Sequence, residues 1–334
     1  MNLPYSGTIV TGEEERLLIT GGGNDTSITI YPTSNGCSLP SLPSPRPHHK
    51  AFLTAGSEQE IAVCGGGWST SCLVFDHKTR LWDDGKMGDT NHRWSEGSHA
   101  VSLPDIGVFI FGGGRSETDF LPAGSMEWQE GPEYPSSIDG SCSCTNCYNC
   151  QCAVPISPTS FLVITPEGIH EFDSTIAGPT SSRGWISPKP WYWSPGKWPT
   201  LKDPKREERF SCSKFGQKVI ISGGLYDDCN DDWYQHWSCE KKLRSTEILD
   251  LVTRRVSSGG DMHRSRHGFH LATVRTFGQL KMFAIGGDGC YKCNTGNVGI
   301  EEWIDEHSRW QWVGDITIGG SNVVTVPKNL ICPA

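Results

Sequence analysis

No apolar run in the 334-residue chain approaches the ~18 residues of a membrane-crossing helix, so no membrane span is expected. The opening Met1-Asn2-Leu3-Pro4-Tyr5-Ser6 has neither the basic nor the apolar segment of a secretory leader, and the chain as given reads as soluble. Basic charge is also in short supply. Lys and Arg number 29 against 38 Asp and Glu, a net charge of -9 with no basic run to neutralise a row of phosphates, so nucleic acid is a poor partner. No stretch keeps a 3.6-residue apolar period. The chain also lacks a G-x-S-x-G elbow, a G-x-x-x-x-G-K-[ST] phosphate loop and an H-E-x-x-H zinc helix. The expectation is therefore a protein that is not an enzyme, with no catalytic residues, no cofactor and no metal.

What is present is turn-forming and aromatic. There are 39 glycines and 21 prolines, 10% aromatic residues and only 20% charged ones, as in a folded, turn-rich β protein. The 14 cysteines are an even number, and several flank short loops: Cys64 and Cys72, Cys229 and Cys239, Cys290 and Cys293. Such placement suits loop-stapling disulfides and an oxidising compartment. A secreted, extracellular protein is expected; the alternative is a cytoplasmic one with reduced thiols.

The chain repeats itself. Leu17-Leu18-Ile19-Thr20-Gly21-Gly22 returns as Ile61-Ala62-Val63-Cys64-Gly65-Gly66, Val108-Phe109-Ile110-Phe111-Gly112-Gly113, Val219-Ile220-Ile221-Ser222-Gly223-Gly224 and Met282-Phe283-Ala284-Ile285-Gly286-Gly287. Phe161-Leu162-Val163-Ile164-Thr165 is a sixth, degenerate copy without the double glycine. Each apolar run predicts a strand buried on both faces. A second strand follows (27–31, 72–76, 169–173, 246–251, 299–305), then a tryptophan (Trp82, Trp128, Trp193, Trp312), then an Arg/His stretch leading to the next copy. Four short strands per unit describe a propeller blade.

The apolar run ending in Gly-Gly, with its later aromatic and spaced tryptophan, resembles the kelch repeat over almost the whole chain. The resemblance implies an all-β fold, one six-bladed kelch-type propeller of four-stranded antiparallel blades over 1–334; a Cys-rich insertion at 131–152 and an acidic loop at 225–243 depart from the family pattern. The ring is expected to close by N- and C-terminal strands sharing one blade, with the innermost place taken by 321–327 or by 7–11. Kelch propellers are mostly binding scaffolds, so the resemblance implies a non-enzymatic binding or structural protein that takes a protein or glycan partner. A role in a matrix or assembly, with self-assembly, belongs to the same class. An intracellular scaffold or adaptor is the alternative. A galactose-oxidase-like enzyme is weaker still, since the chain has no Tyr-His dipeptide.

In a meander blade, the connection entering the inner strand and the one after the Gly-Gly strand emerge on one face. That face is expected to carry the partner site, bordered by Trp68, Arg93, Arg115, Arg266, His267 and Asp288. The same Arg and His residues could instead point inward and bond between blades. The run Cys142-Ser143-Cys144-Thr145-Asn146-Cys147-Tyr148-Asn149-Cys150-Gln151-Cys152 favours disulfides over Zn²⁺ or Cu(I), and Cys212 is a candidate partner for one member. Asp228, Asn230 and Asp232 begin like a calcium loop, but Trp233 and Cys239 stand where it needs glycine and glutamate. Trp185, Trp191, Trp193 and Trp198 read either as a sugar-stacking platform or as the outer strand of blade 4. Asn24 heads the sole N-x-[ST] sequon, a glycosylation candidate if the chain is secreted.

Overall fold

The structure, a computed structural model, describes residues 14–21, 26–32, 37–94, 97–113, 115–133, 152–175, 192–194, 198–203, 206, 209–227, 240–287, 299–305, 309–315 and 322–332. They form an all-β, six-bladed propeller of mainly four-stranded antiparallel sheets. Blade 1 holds β1 (Glu15–Thr20) and β2 (Ile28–Tyr31), with β25 (Asn322–Pro327) as its inner strand. Blade 2 is β3 (Lys50–Leu53), β4 (Ile61–Cys64), β5 (Cys72–Asp76) and β6 (Leu81–Asp83). Blade 3 is β7 (Ser98–Leu103), β8 (Gly107–Gly112), β9 (Asp119–Pro122) and β10 (Gln129–Glu130). Blade 4 is β11 (Cys152–Ser157), β12 (Ser160–Ile164), β13 (Ile169–Asp173) and β14 (Tyr192–Ser194). Blade 5 is β15 (Ser211–Phe215), β16 (Lys218–Ser222), β19 (Thr246–Asp250) and β20 (Arg255–Ser258), with a separate hairpin of β17 (Leu225–Asp227) and β18 (Glu240–Lys242). Blade 6 is β21 (His270–Thr276), β22 (Gln279–Ile285), β23 (Ile300–Ile304) and β24 (Arg309–Gly314).

The apolar runs become second strands because each is sandwiched between two neighbouring blades. In β8, Val108 and Ile110 face Phe52, Ala62 and Val74 of blade 2, while Phe109 and Phe111 face Phe161, Val163 and Phe172 of blade 4. In β22, Met282 and Ala284 pack on blade 5, while Phe283 and Ile285 pack on β1 of blade 1. The core is thus a ring of wedges, one per blade boundary. Alternation is lost from these strands because both of their faces are interior.

The six inner strands touch in sequence round the axis, from β25 through β3, β7, β11, β15 and β21 back to β25. Hydroxyls tie neighbours together: Thr325 Oγ1 donates to the Thr273 carbonyl (2.7 Å), and Thr273 Oγ1 to that of Lys214 (2.8 Å). The innermost place in blade 1 goes to the C-terminal strand. β25 pairs with β1 over six residues, from Glu15 opposite Pro327 to Thr20 opposite Asn322. A disulfide joins Cys37 to Cys332 across a sequence separation of 295, just past β2 and past the four-residue helix α1 (Lys328–Ile331). Arg80 Nη1 also donates to the Ile331 carbonyl (2.8 Å), fastening the same end to blade 2.

Blade 4 explains its own lost glycines. Thr165 and Gly168 exchange backbone hydrogen bonds of 2.8 and 3.3 Å, and Thr165 Oγ1 donates to the Gly168 carbonyl (3.1 Å). A tight turn stands where the other blades have a longer connection in sequence between their second and third strands. With no loop to cross, no double glycine is required.

His49 sits fully buried at the seam between blades 1 and 2. Burial, chiefly, lowers its pKa from 6.5 to about 4, with the charges of Lys50, Arg46 and His270 adding to this against the hydrogen bond to Arg46. The neutral ring donates from Nδ1 to the Arg46 carbonyl (2.6 Å) and accepts at Nε2 from Thr20 Oγ1 (2.5 Å). Asn322 Nδ2 of the closing strand donates to the His49 carbonyl.

Two outcomes follow from the seam. Cys37→Ser combined with Cys332→Ser is expected to lower the unfolding free energy by about 2–5 kcal/mol, because so long a loop is no longer constrained in the unfolded chain; urea midpoints before and after the substitution measure it. The second concerns acid. Since the folded pKa of His49 lies below the unfolded one, its stabilisation is complete above pH 6.5 and declines as pH falls towards 4. Replacing His49 by Gln should flatten the dependence of Tm on pH across that window, and an unchanged slope would remove His49 as its source.

Candidate functional site

The face onto which the Gly-Gly strands open is built from a recurring cradle. In blade 2, Arg46 reaches between β4 and β5 and donates to the carbonyls of Gly65 (3.1 Å) and Ser71 (2.8 Å) and to Ser71 Oγ (2.8 Å). In blade 6, Arg266 donates to the carbonyls of Gly286 and Gly299 (3.1 Å each) and pairs with Glu301 at 2.6 Å. In blade 5, Arg206 bonds the carbonyls of Gly223 and Ser245 and pairs with Glu247 at 3.3 Å. Each guanidinium fills the gap where the second and third strands part, satisfying carbonyls that would otherwise be orphaned. Burial draws the pKa of Arg206 and Arg266 down, and the neighbouring carboxylates of Glu247 and Glu301 oppose it.

The double glycine makes the cradle sterically feasible. A Cβ on Gly66 (φ 88°) would lie 2.9 Å from the backbone carbon of Arg46, and one on Gly223 (φ 65°) 2.6 Å from the Arg266 carbonyl oxygen. Blade 3 uses a variant. Asp119, at the position of Glu247 and Glu301, accepts from the Trp94 indole (2.7 Å) and from His92 Nδ1 (2.9 Å).

The residues expected at the contact surface divide. Trp68 is 81% exposed and Arg93 is exposed, while Arg115 is half-buried. Arg266 and His267 are corrections, because both side chains are buried, at 0% and 2% exposure, and offer nothing to a partner. Arg266 is withdrawn by its pairing with Glu301. His267 is held neutral, its pKa lowered to about 4 by burial first and then by the charges of Arg209 and Lys242. Asp288, the sequon at Asn24, the cysteines Cys229, Cys239, Cys290 and Cys293, the run 142–150 and the calcium-like positions 228–233 lie outside the described residues. So do Trp185 and Trp191, whereas Trp193 lies in β14, the outer strand of blade 4, and the half-buried Trp198 donates to Glu171 Oε2 (3.0 Å).

Cysteine pairing is visible where the strands are described. Cys64 and Cys72 stand directly opposite in β4 and β5 and are bonded, S–S 2.01 Å. Cys152, the last of the clustered cysteines, bonds Cys212 of β15 at 2.14 Å and so links blades 4 and 5. The Cys37–Cys332 bridge carries no local signal, being read neither from spacing nor from the repeat. The acidic partners were readable in principle, since Asp119, Glu247 and Glu301 recur at one position in the third strand of three blades.

No family model and no curated protein matches the chain. Among solved structures it is similar to the protein YjhT, with a TM-score of 0.54 and 12% identity, covering 83% of this chain and 91% of that one. It is also similar to a novel fungal alcohol oxidase of the AA5 family in complex with copper, with a TM-score of 0.61 and 13% identity. That match covers 93% of this chain, which spans 65% of the oxidase. Both neighbours are kelch-type β-propeller folds, and identities this low show the fold alone.

The cradle generates a stability test. Arg266→Ala leaves Glu301 buried without its cation and is expected to cost about 3–5 kcal/mol. Arg266→Met together with Glu301→Leu should recover most of that loss, since no lone charge then remains inside. Urea denaturation of the three proteins decides it; a single variant as stable as the parent would show that the pair is not needed.

Proposed function

We propose that this chain is a non-enzymatic, extracellular kelch-type propeller that binds a protein or glycan on its Gly-Gly face. The observation carrying this reading is the contrast within that face. Its loops are held by buried Arg cradles and a disulfide, yet they present Trp68 and Arg93 to solvent. Tryptophan and arginine are the types most enriched where binding energy concentrates, and a rigid loop loses little freedom on binding. The opposite face offers mainly short hairpins, such as those at 56–59 and 105–107. Three disulfides among the described residues support an oxidising compartment; counting thiols in denaturant separates this from the intracellular scaffold, for which nearly all 14 would react.

The copper-bearing neighbour raises the question of a metal site. Among the described residues no group of three or more His, Cys, Asp or Glu is placed to hold a metal ion. The buried His49 is engaged by Thr20 and the Arg46 carbonyl. No redox step is assigned to the described residues.

A pull-down paired with a glycan array identifies the ligand class, and substitution maps the face. Trp68→Ala, Arg93→Ala and Arg115→Ala combined are expected to weaken partner binding at least about tenfold, roughly 1.4 kcal/mol, with Tm nearly unchanged. Binding that survives these changes but disappears when the 56–59 and 105–107 hairpins are altered would place the contact on the opposite face.

A further inference from the structure

Trp68 occupies a backbone that bulky residues avoid. Gly65, Gly66, Gly67 and Trp68 have φ of 72°, 88°, 59° and 72°, four successive left-handed residues, of which only the glycines adopt that region freely. The surroundings over-determine this shape. The Cys64–Cys72 bridge closes its base, and Gly65 N–H donates to the Ser71 carbonyl (3.0 Å), Gly67 N–H to Pro47 (3.0 Å) and Ser69 N–H to Gly66 (3.0 Å). Thr70 Oγ1 donates to Asp89 Oδ2 (3.1 Å), and Thr90 N–H to the Thr70 carbonyl (2.9 Å), which fastens the loop to the segment leading into blade 3. Trp94 lies against Gly65, its Cβ 3.8 Å from where a Cβ on that glycine would sit, so Arg93 emerges beside the same loop.

So much constraint ends in an indole that is 81% exposed and stacked on no ring or cation among the described residues. Among the described residues it belongs to no cluster of exposed large apolar side chains. The other exposed large apolar side chains among the described residues are Leu81 at the start of β6, Val252 and Phe277 in turns of blades 5 and 6, and Val313 in β24. The loop around Trp68 and the segment beside it are polar: Ser69, Thr70, Ser71, Asp89 and Arg93. The buried centre of a protein interface is commonly formed by several anchoring side chains together, and the described residues beside Trp68 supply no second apolar one. A pyranose ring needs one flat aromatic surface for its C–H face and a rim of donors and acceptors for its hydroxyls.

We propose that the 64–72 loop is a saccharide-stacking platform, with Trp68 beneath a pyranose ring and Arg93 and Asp89 at its hydroxyl edge. This rests on the Gly-Gly face being the binding face and names its ligand as carbohydrate. Local strain at an exposed aromatic is then a means of presentation, held by the surrounding bonds so that the ring is in place before the sugar arrives.

The test uses the full chain on an array of immobilised neutral and uronic-acid oligosaccharides, followed by titration with the soluble form of the strongest binder. Trp68→Ala should weaken that binding at least about tenfold, and Trp68→Phe, which keeps a ring, by much less. Phe277→Ala, on an opposite-face turn, should bind as the parent does. All three should keep the parental Tm. A silent array, or Trp68→Ala binding like the parent, overturns the platform. If a protein partner is instead lost on Arg93 and Arg115 substitution, the platform fails while the face reading stands; if ligand binding maps to the 56–59 and 105–107 hairpins, both fail.

Discussion

A ring of blades has no edge only if its last strand pairs with its first sheet, and everything else here depends on that pairing. The six-residue ladder between β1 and β25 brings together residues some three hundred positions apart. Until it forms, the inner faces of Leu17, Leu18 and Ile19 lack their packing against blades 6 and 2. Loop closure on this scale carries a large entropic cost in the unfolded chain. The Cys37–Cys332 bond and the Arg80 contact to α1 lie at the same junction, where cross-linking relieves most of that cost.

With closure secured, the face acquires its shape from charges placed inside. A buried guanidinium is unfavourable alone, yet Arg206 and Arg266 bridge carbonyls from parted strands and meet Glu247 and Glu301. The second and third strands can therefore separate at one end without stranding polar groups, and the connecting loops can be wide. Glycine pairs follow from this, because the Arg-bearing backbone passes where a Cβ would lie. Blade 4 is the internal control: its Thr165–Gly168 turn is tight, the gap is closed, and the double glycine is absent.

The six repeats were legible because two-sided burial requires an unbroken apolar run, as in Val108-Phe109-Ile110-Phe111, and such runs survive when loops diverge. Outer strands were legible from their tryptophans. Arg266 was ambiguous, since the residue type that anchors partners also fills cradles, and its fate is decided by Glu301, 35 residues later and visible only once blades are aligned. The reach of Cys37 to Cys332 was illegible for the same reason, because pairing is a property of ring closure and not of spacing. Trp68 was placed on the correct loop by counting strands, but its exposure depends on Pro47, Asp89 and Trp94, three separate stretches that meet only in the fold.

Repetition itself separates scaffold from recognition. Whatever recurs in several blades, such as the cradle arginine, the third-strand carboxylate or the outer tryptophan, is answered by packing that every blade must solve. Among the described residues, Trp68 has no counterpart among the exposed large apolar side chains at the same turn of another blade. A strained, solvent-facing indole adds nothing to the wedge between blades 2 and 3, whose apolar cluster is complete without it. It increases exposed apolar surface and holds its backbone in a disfavoured region, and both effects oppose folding. Phe277 is also exposed (85%) and left-handed (φ 48°), but it sits in the hairpin turn between β21 and β22. Trp68 instead rises from a longer loop held by a disulfide and by bonds to two other segments, and that built presentation is what a bound state covering the indole accounts for.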